Sequence, residues 1–302
     1  MTEFSIASPH KSELWYDYRL YANLIEALES LGYKYRKNAK NRIYFLGAPR
    51  RNFYPDVGKF DANANNIALV YCHFEKIESF SEFNKVYLSS PFVKRQMWAE
   101  KIKRFSLLGK KKYIGSMSKV EIIKPFSSLT NTKIIDAKFQ CDLSFIGSPR
   151  IRPIVEDIIP IVNKHNLDFH LYGPHWEKYA GDSSAVNYRK ANSVDYFDIP
   201  LVSHNSKISL VDHHQTMNDV GSVSHKYVDI VMSGGFVICD NNKDAATHYK
   251  GIVYSSPQEL EELVLFYLNN EAKRQEQIEL QHNITAHQTT LRAAKKIAET
   301  FI

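Results

Sequence analysis

The chain has 302 residues, 44% of them hydrophobic and 24% charged, the composition of a globular protein long enough for two ordinary domains. Its longest apolar runs, IALVYC (67–72) and FVIC (236–239), fall far short of the roughly 20 residues a membrane-spanning helix needs. The formal charge of +6 is lopsided: residues 1–140 carry 24 Lys/Arg against 13 Asp/Glu, and residues 141–302 carry 15 against 20, so the first half is expected to face an anionic partner, the alternative being a solvated basic surface.

In chain order, EFSIAS reads as a strand and SPHKSE as a loop. DYRLYANLIEALESLGY repeats apolar residues at Leu20, Leu24, Ile25, Leu28 and Leu31 and stops at Gly32, the pattern of an amphipathic helix with a C-cap. RIYFLGAP, NNIALVYCHF and KVYLSSP are strands, apolar enough to be buried on both faces as in a parallel sheet. A helical stretch around VKRQMWAEKIKRF and a short strand, KVEIIKPF, follow. The mostly polar residues 127–140 are expected to link to a second unit.

That unit opens with the strand CDLSFIG and the turn GSPR. RPIVEDIIPIVNKHN is helical, with Pro153 in its first turn and Pro160 expected to kink it. LDFHLYGP and HNSKISLVD are strands, SVSHKYVDIVMSGG is a helix starting near Ser222 or Ser224, and FVICD is a strand. After GIVYSS comes one long helix, SPQELEELVLFYLNNEAKRQEQIEL, capped by Ser256, and HQTTLRAAKKIAETFI closes the chain. Strands alternating with helices, twice over, predict two α/β units, each a mostly parallel sheet covered on both faces. Such sheets bind ligands beyond the carboxyl ends of their strands, which makes the loops after strands the place to look for chemistry.

The turn SFIGSPRIR sets Gly147 and Ser148 between a strand and a helix, where backbone N–H groups and the helix dipole suit an anion and where Arg150 and Arg152 can meet phosphate. Tyr172, His175 and Trp176 in YGPHW can wall a base or a sugar. Ser222, Ser224 and His225 place donors at the positive end of the next helix. Lys226 and Asp229, three apart, share a side of it, and Asp229, one turn on, can accept from ribose hydroxyls. The G-x-G-x-x-G dinucleotide fingerprint is absent, which removes support for a hydride-transfer cofactor. Cys72, Cys141 and Cys239 are scattered and odd in number, as suits buried free thiols. VDHHQ (211–215) invites a metal reading, but adjacent histidines on a strand point to opposite faces, so no metal site is expected.

The order of these pieces over residues 141–302 resembles the nucleotide-binding half of GT-B glycosyltransferases, the CgeB-like branch with a family-1-type C-terminal domain above all. Asp142, Ser144, Phe145, Gly147 and Ser148 match that branch's opening strand, and Gly234 and Gly235 match its glycine-terminated helix. Lys226 stands where arginine is usual and Asp229 where glutamate is usual, and His287, Thr289, Arg292 and Ala293 approximate the closing helix. The resemblance implies two Rossmann-like domains facing across a cleft. The first, 1–135, would be a basic acceptor-binding domain and the second, 140–284, a donor domain; the helix in 285–302 would be free to cross back to the first.

By the same resemblance the donor is a nucleoside-diphosphate sugar, uridine for preference, held without cofactor or metal, with Lys226 on the diphosphate and Asp229 on the ribose. The acceptor expected from the basic half is anionic: DNA, or a phosphorylated or membrane-surface glycan. The base that activates it is sought at strand ends and nearby: His73 first, then His10 and Asp17. A non-catalytic nucleic-acid or glycan-binding module is the alternative, and an epimerase-type enzyme on nucleotide-sugars a third. The N-terminus MTEFSIASPHKSE lacks a signal pattern, so a cytoplasmic location is expected, with peripheral membrane association open; the oligomeric state is undetermined by sequence.

Overall fold

The computed structural model describes residues 1–7, 16–46, 60–71, 80, 82–105 and 116–302, with backbone alone for 16–17 and 99–105. In chain order the elements of the first part are β1 (Glu3–Ala7), α1 (Tyr16–Ser30), β2 (Lys34–Tyr35), β3 (Asn41–Leu46), β4 (Asn65–Val70), β5 (Lys85–Leu88), α2 (Pro91–Phe105) and β6 (Val120–Ile122). Then come β7 (Cys141–Ile146), α3 (Pro153–His165), β8 (Phe169–Tyr172), β9 (Arg189–Ala191), α4 (Ile199–Asn205), β10 (Ser206–Val211), α5 (Gln215–Val220) and α6 (His225–Met232). The chain ends with β11 (Val237–Asp240), α7 (Lys243–His248), β12 (Ile252–Tyr254), α8 (Pro257–Asn269), α9 (Glu271–Thr285) and α10 (Thr290–Ala298).

The chain divides into two units. The first comprises Met1–Ser128 together with His214–Val223 and Gln288–Ile302. It holds a six-stranded sheet in the order β2-β1-β3-β4-β5-β6, parallel at every pairing. The apolar runs read as strands are buried as expected: every residue of β4 lies inside. The inward stripe of α1, Leu20, Leu24 and Leu28, packs against Phe4, Ile6, Ile43 and the Ala294 and Ile297 face of α10. Two buried asparagines at strand starts fasten the chain end to this sheet. Asn41 accepts from the Ile302 N–H at 3.0 Å, and the Asn65 side-chain amide donates to the Thr300 carbonyl at 2.7 Å. Each satisfies backbone groups that would otherwise be buried without partners.

The second unit comprises Leu129–His213 and Ser224–His287, and its sheet, also parallel throughout, runs β12-β11-β10-β7-β8-β9. Leu143, Phe145, Ile208, Leu210 and Ile238 of its central strands pack with Ile154, Ile158 and Val162 of α3 and Leu260 and Val264 of α8. From β7 the chain moves outward to β8 and β9, returns through α4 to β10 on the other side of β7, and continues to β11 and β12. The strand order therefore reverses between β7 and β10, and the crevice beyond the carboxyl ends of those two strands is where this architecture places ligands.

One local reading changes. The long helix expected over 256–280 is two helices, α8 and α9, broken at Asn270. The side-chain amides of Asn269 and Asn270 donate to the carbonyls of Leu265 and Phe266 at 2.8 and 2.7 Å, competing with the helix ladder at that point. Helix α3 runs through Pro160, on its exposed side. Helix α6 begins at His225 with Ser224 as its N-cap, accepting from the Tyr227 N–H, the later of the two starts expected. Cys141 and Cys239 are buried free thiols; Cys72 lies outside the described residues. Among the described residues no helix is long and apolar enough to cross a membrane.

Candidate donor site at the strand-order reversal of the second unit

The carboxyl ends of β7 and β10 are neighbours, with Phe145 paired to Leu210, and each strand is followed at once by polar residues. Asp212 follows β10 with its side chain only 1% exposed. Its two oxygens are divided between two arginines that follow β7. Arg152 Nη1 donates to Oδ1 at 2.6 Å, and Arg150 Nη2 donates to Oδ2 at 3.3 Å. Arg152, the residue before α3, is itself buried and stretched along its own turn, with Nε donating to the Ser148 carbonyl at 2.9 Å and Nη2 to Ser148 Oγ at 3.4 Å. Its backbone N–H is held by the Tyr179 hydroxyl at 3.1 Å. Every guanidinium nitrogen of Arg152 is thus committed locally, which fixes the side chain against the strand ends.

The third cation comes from the other flank. Lys226, in the first turn of α6, reaches across to donate to the carbonyl of Ile146, the last residue of β7. Its ammonium lies 5.1 Å from the centre of the Phe145 ring, and the Arg152 guanidinium lies 5.4 Å from the centre of the same ring. Two cations converging on one aromatic ring repel one another, and the effect is visible in Lys226. Its pKa falls to about 7, chiefly through burial and next through Arg152, with Arg150 adding to the effect and Asp212 and Asp240 opposing it. Burial also lowers the pKa of Arg152, against the pull of Asp212. Arg150, Arg152 and Lys226 therefore form a pocket of positive charge with one buried carboxylate against it.

Behind this cluster Asp240, the last residue of β11, holds His213. One carboxylate oxygen accepts the His213 N–H at 3.0 Å and the other meets Nδ1 at 2.5 Å. His213, Cys239 and Asp240 bring ligand-type atoms within 4.8 Å of one another. His214 is turned to a different task, capping α5 with its Nδ1 3.0 Å from Thr216 Oγ1. The two histidines of VDHHQ thus have separate partners.

Several residues expected at the site are placed elsewhere. The Gly147 N–H is spent on the Tyr172 carbonyl at 2.9 Å, and its carbonyl accepts from Trp176 Nε1 at 2.9 Å, so Gly147 offers no free amide to an anion. Tyr172 is 1% exposed and packs on Phe139 and Val202; it is core, as is Trp176. His175 stands on an exposed turn with φ +61°, its ring 3.5 Å from Glu177. Ser222 belongs to the first unit, where its hydroxyl meets Ser89 Oγ at 2.6 Å, and α6 starts at the second of the two expected positions. His225 is buried.

Asp229 is also fully buried, accepting from the Tyr196 hydroxyl at 3.1 Å, so its carboxylate is not presented to a ribose in this structure. A glutamate would carry the carboxylate one methylene further; the aspartate ends on Tyr196. Ser148, Ser224, Lys226 and Arg152 keep their expected neighbourhoods, and Asp212 is the addition sequence reasoning did not make. Its signal was a lone carboxylate directly after an apolar strand. His10 and His73 lie outside the described residues, and so does the side chain of Asp17.

Comparison with known proteins places this geometry. Residues 152–298 match the family model described as "Glycosyl transferase-like". No curated protein matches the sequence. Among solved structures, the DNA-modifying enzyme β-glucosyltransferase, studied with and without its substrate uridine diphosphoglucose, is similar at a TM-score of 0.61 and 11% identity over 99% of each chain. Sucrose-phosphate synthase from Thermosynechococcus elongatus is similar at 0.59 and 9% identity, covering 99% of this chain and 98% of that one. A variant of TarM from S. aureus, in a complex that includes UDP, is similar at 0.53 and 14% identity, covering 93% of this chain and 57% of that one. The two parallel six-stranded sheets are those of the GT-B glycosyltransferase fold, and residues 152–298 match the glycosyl transferase-like family model.

Proposed function

We propose that the protein transfers a sugar from a nucleoside-diphosphate sugar, a uridine diphosphate sugar for preference, to a hydroxyl of an anionic acceptor. The observation that carries this reading is the convergence of Arg150, Arg152 and Lys226 at the carboxyl ends of β7 and β10, where Asp212 pairs with both arginines and Lys226 donates to the Ile146 carbonyl rather than to a carboxylate. A leaving nucleoside diphosphate gains negative charge as the glycosidic bond breaks, and fixed cations in a partly desolvated site stabilise that charge. These side chains supply the positive charge themselves, so the reading calls for no cofactor. The Ser148 and Ser224 hydroxyls stand beside the same turns as further donors.

The likeness to structures studied with uridine diphosphoglucose or UDP supports a uridine donor. The net charge of +11 on residues 1–140 supports an acceptor that is itself an anion: DNA, or a phosphorylated or membrane-surface glycan. His73, His10 and Asp17 remain the candidates for the base that deprotonates it.

The test is turnover. The protein is incubated with UDP-sugars and a panel of duplex DNA and anionic glycans, and released UDP is measured. Acceptor-dependent release supports the reading and excludes a non-catalytic binding module. Release that needs no acceptor, with isomerised donor, points to an epimerase instead. Absence of any release across the panel overturns the proposal.

A further inference from the structure

Asp212 is an unusual feature for a phosphate site. A buried carboxylate at the centre of a cationic cluster competes with the anion the cluster is meant to bind. Its side chain is 1% exposed, against 7% for Arg152 and 36% for Arg150, so the carboxylate sits deepest and faces outward onto both guanidiniums. Each of its oxygens takes one arginine, which is the division a phosphate with two free oxygens would make. Among the described residues only the two arginines hydrogen-bond to it, whereas Arg152 keeps independent anchors on Ser148 through Nε and Nη2. The arginine would therefore stay in place if its Nη1 changed partners.

We propose that Asp212 is the site's own counter-anion, holding Arg150 and Arg152 in binding geometry when the site is empty and giving up Nη contacts to the donor's diphosphate when it enters. This rests on reading the cluster as the diphosphate site. The carboxylate makes Asp212 a positioning residue: it keeps three neighbouring cations from driving one another apart, and it sets the donor affinity below what the bare cluster would give. Its charge opposes the bound diphosphate, which favours release of the nucleoside diphosphate after transfer.

The experiment compares the wild-type protein with Asp212→Asn, nearly isosteric and neutral, and Asp212→Ser, smaller and neutral. Affinity is measured for UDP and for uridine, alongside thermal melting with and without each ligand. The expected result is a lower melting temperature for the empty variants and UDP binding on the order of tenfold tighter than in wild type. Uridine affinity should be unchanged, because only phosphate meets the cluster. A purely structural aspartate would lower the melting temperature and weaken or leave unchanged both ligands. Where a variant is unfolded on its own, UDP or inorganic pyrophosphate is expected to restore folding by standing in for the lost charge, and failure of that rescue overturns the proposal. Weaker or equal UDP binding in a folded variant overturns it too. If the wild-type protein itself does not bind UDP, it is the donor-site reading that fails, a different outcome from wild-type binding that the variants do not exceed.

Discussion

Arg152 Nη1 lies 2.6 Å from Asp212 Oδ1, and neither side chain is more than 7% exposed. A buried ion pair of this kind does little for net stability, but removing one partner leaves the other as an uncompensated buried charge. Arg152→Ala is therefore expected to cost about 3 kcal/mol in a urea or guanidinium melt. Arg152→Lys is expected to recover little, because an ammonium cannot hold Ser148 and Asp212 together as the guanidinium fork does.

Lys226 should make nucleotide binding depend on pH. In the empty protein burial and the nearby Arg152 bring its pKa to about 7, and a bound diphosphate would raise it again. Above pH 7 binding must then take up the proton the free lysine has lost. UDP affinity is expected to be full below pH 7 and to weaken by up to about tenfold per pH unit above it, until the pKa of the complex is reached. Burial sets this value first, and Arg152, Arg150, Asp212 and Asp240 act on the ammonium after it. Lys226→Arg should flatten the profile, since arginine keeps its charge throughout. A titration of UDP at several pH values checks both outcomes.

The same lysine should cost stability. Its folded pKa lies below the unfolded value of about 10.4, so between about pH 7 and 10.4 the unfolded chain binds the extra proton and stability rises with pH. Below pH 7 the burial penalty is present in full. Lys226→Met, of similar length and apolar, is expected to raise the melting temperature at pH 6 while abolishing UDP binding. A lower melting temperature for this variant would show that the ammonium stabilises the empty fold.

Gly173 holds the turn on which the site is built. Its φ is +150°, and a Cβ there would stand 1.9 Å from the Gly147 carbonyl oxygen and 2.9 Å from Trp176 Nε1. Gly173→Ala must push Gly147 away from β8 and break the Trp176 hydrogen bond. The expected loss is about 1–3 kcal/mol of stability, measured by denaturant melt, together with weaker UDP binding.

Asp229 separates a structural role from a ligand role. Tyr196→Phe removes the hydroxyl that Asp229 accepts, at an expected cost of about 1 kcal/mol. If the carboxylate serves only Tyr196, UDP affinity stays at the wild-type value. A rise in affinity on freeing Asp229 would bring it back to the ribose.

The alternation of apolar strands and helices made both parallel sheets readable from sequence: β4 carries the apolar run IALV (67–70), and β7 and β10 keep Leu143, Phe145, Ile208 and Leu210 for the core. Helix α1 was equally plain from its leucine stripe. Arg150, Arg152 and Lys226 were legible as charges near glycine-bearing turns. What the pattern hid was depth. Tyr172 and Trp176 look the same in a sequence whether they wall a pocket or fill a core, and only packing against Phe139 and Phe145 decides it. The burial of Asp229 against Tyr196 was hidden in the same way. Asp212 was overlooked because its meaning depends on two arginines sixty and more residues earlier, brought to it by the pairing of β7 with β10. The short helices α4, α5 and α7, of six or seven residues each, are too brief to show a period.

The most direct measurement is a crystal structure of the protein with UDP. The pyrophosphate is expected at the carboxyl ends of β7 and β10, with its oxygens within hydrogen-bond reach of Lys226 Nζ and of the Arg150 and Arg152 guanidiniums. Density for UDP elsewhere, with Lys226 still on the Ile146 carbonyl and both arginines still on Asp212, would contradict the account.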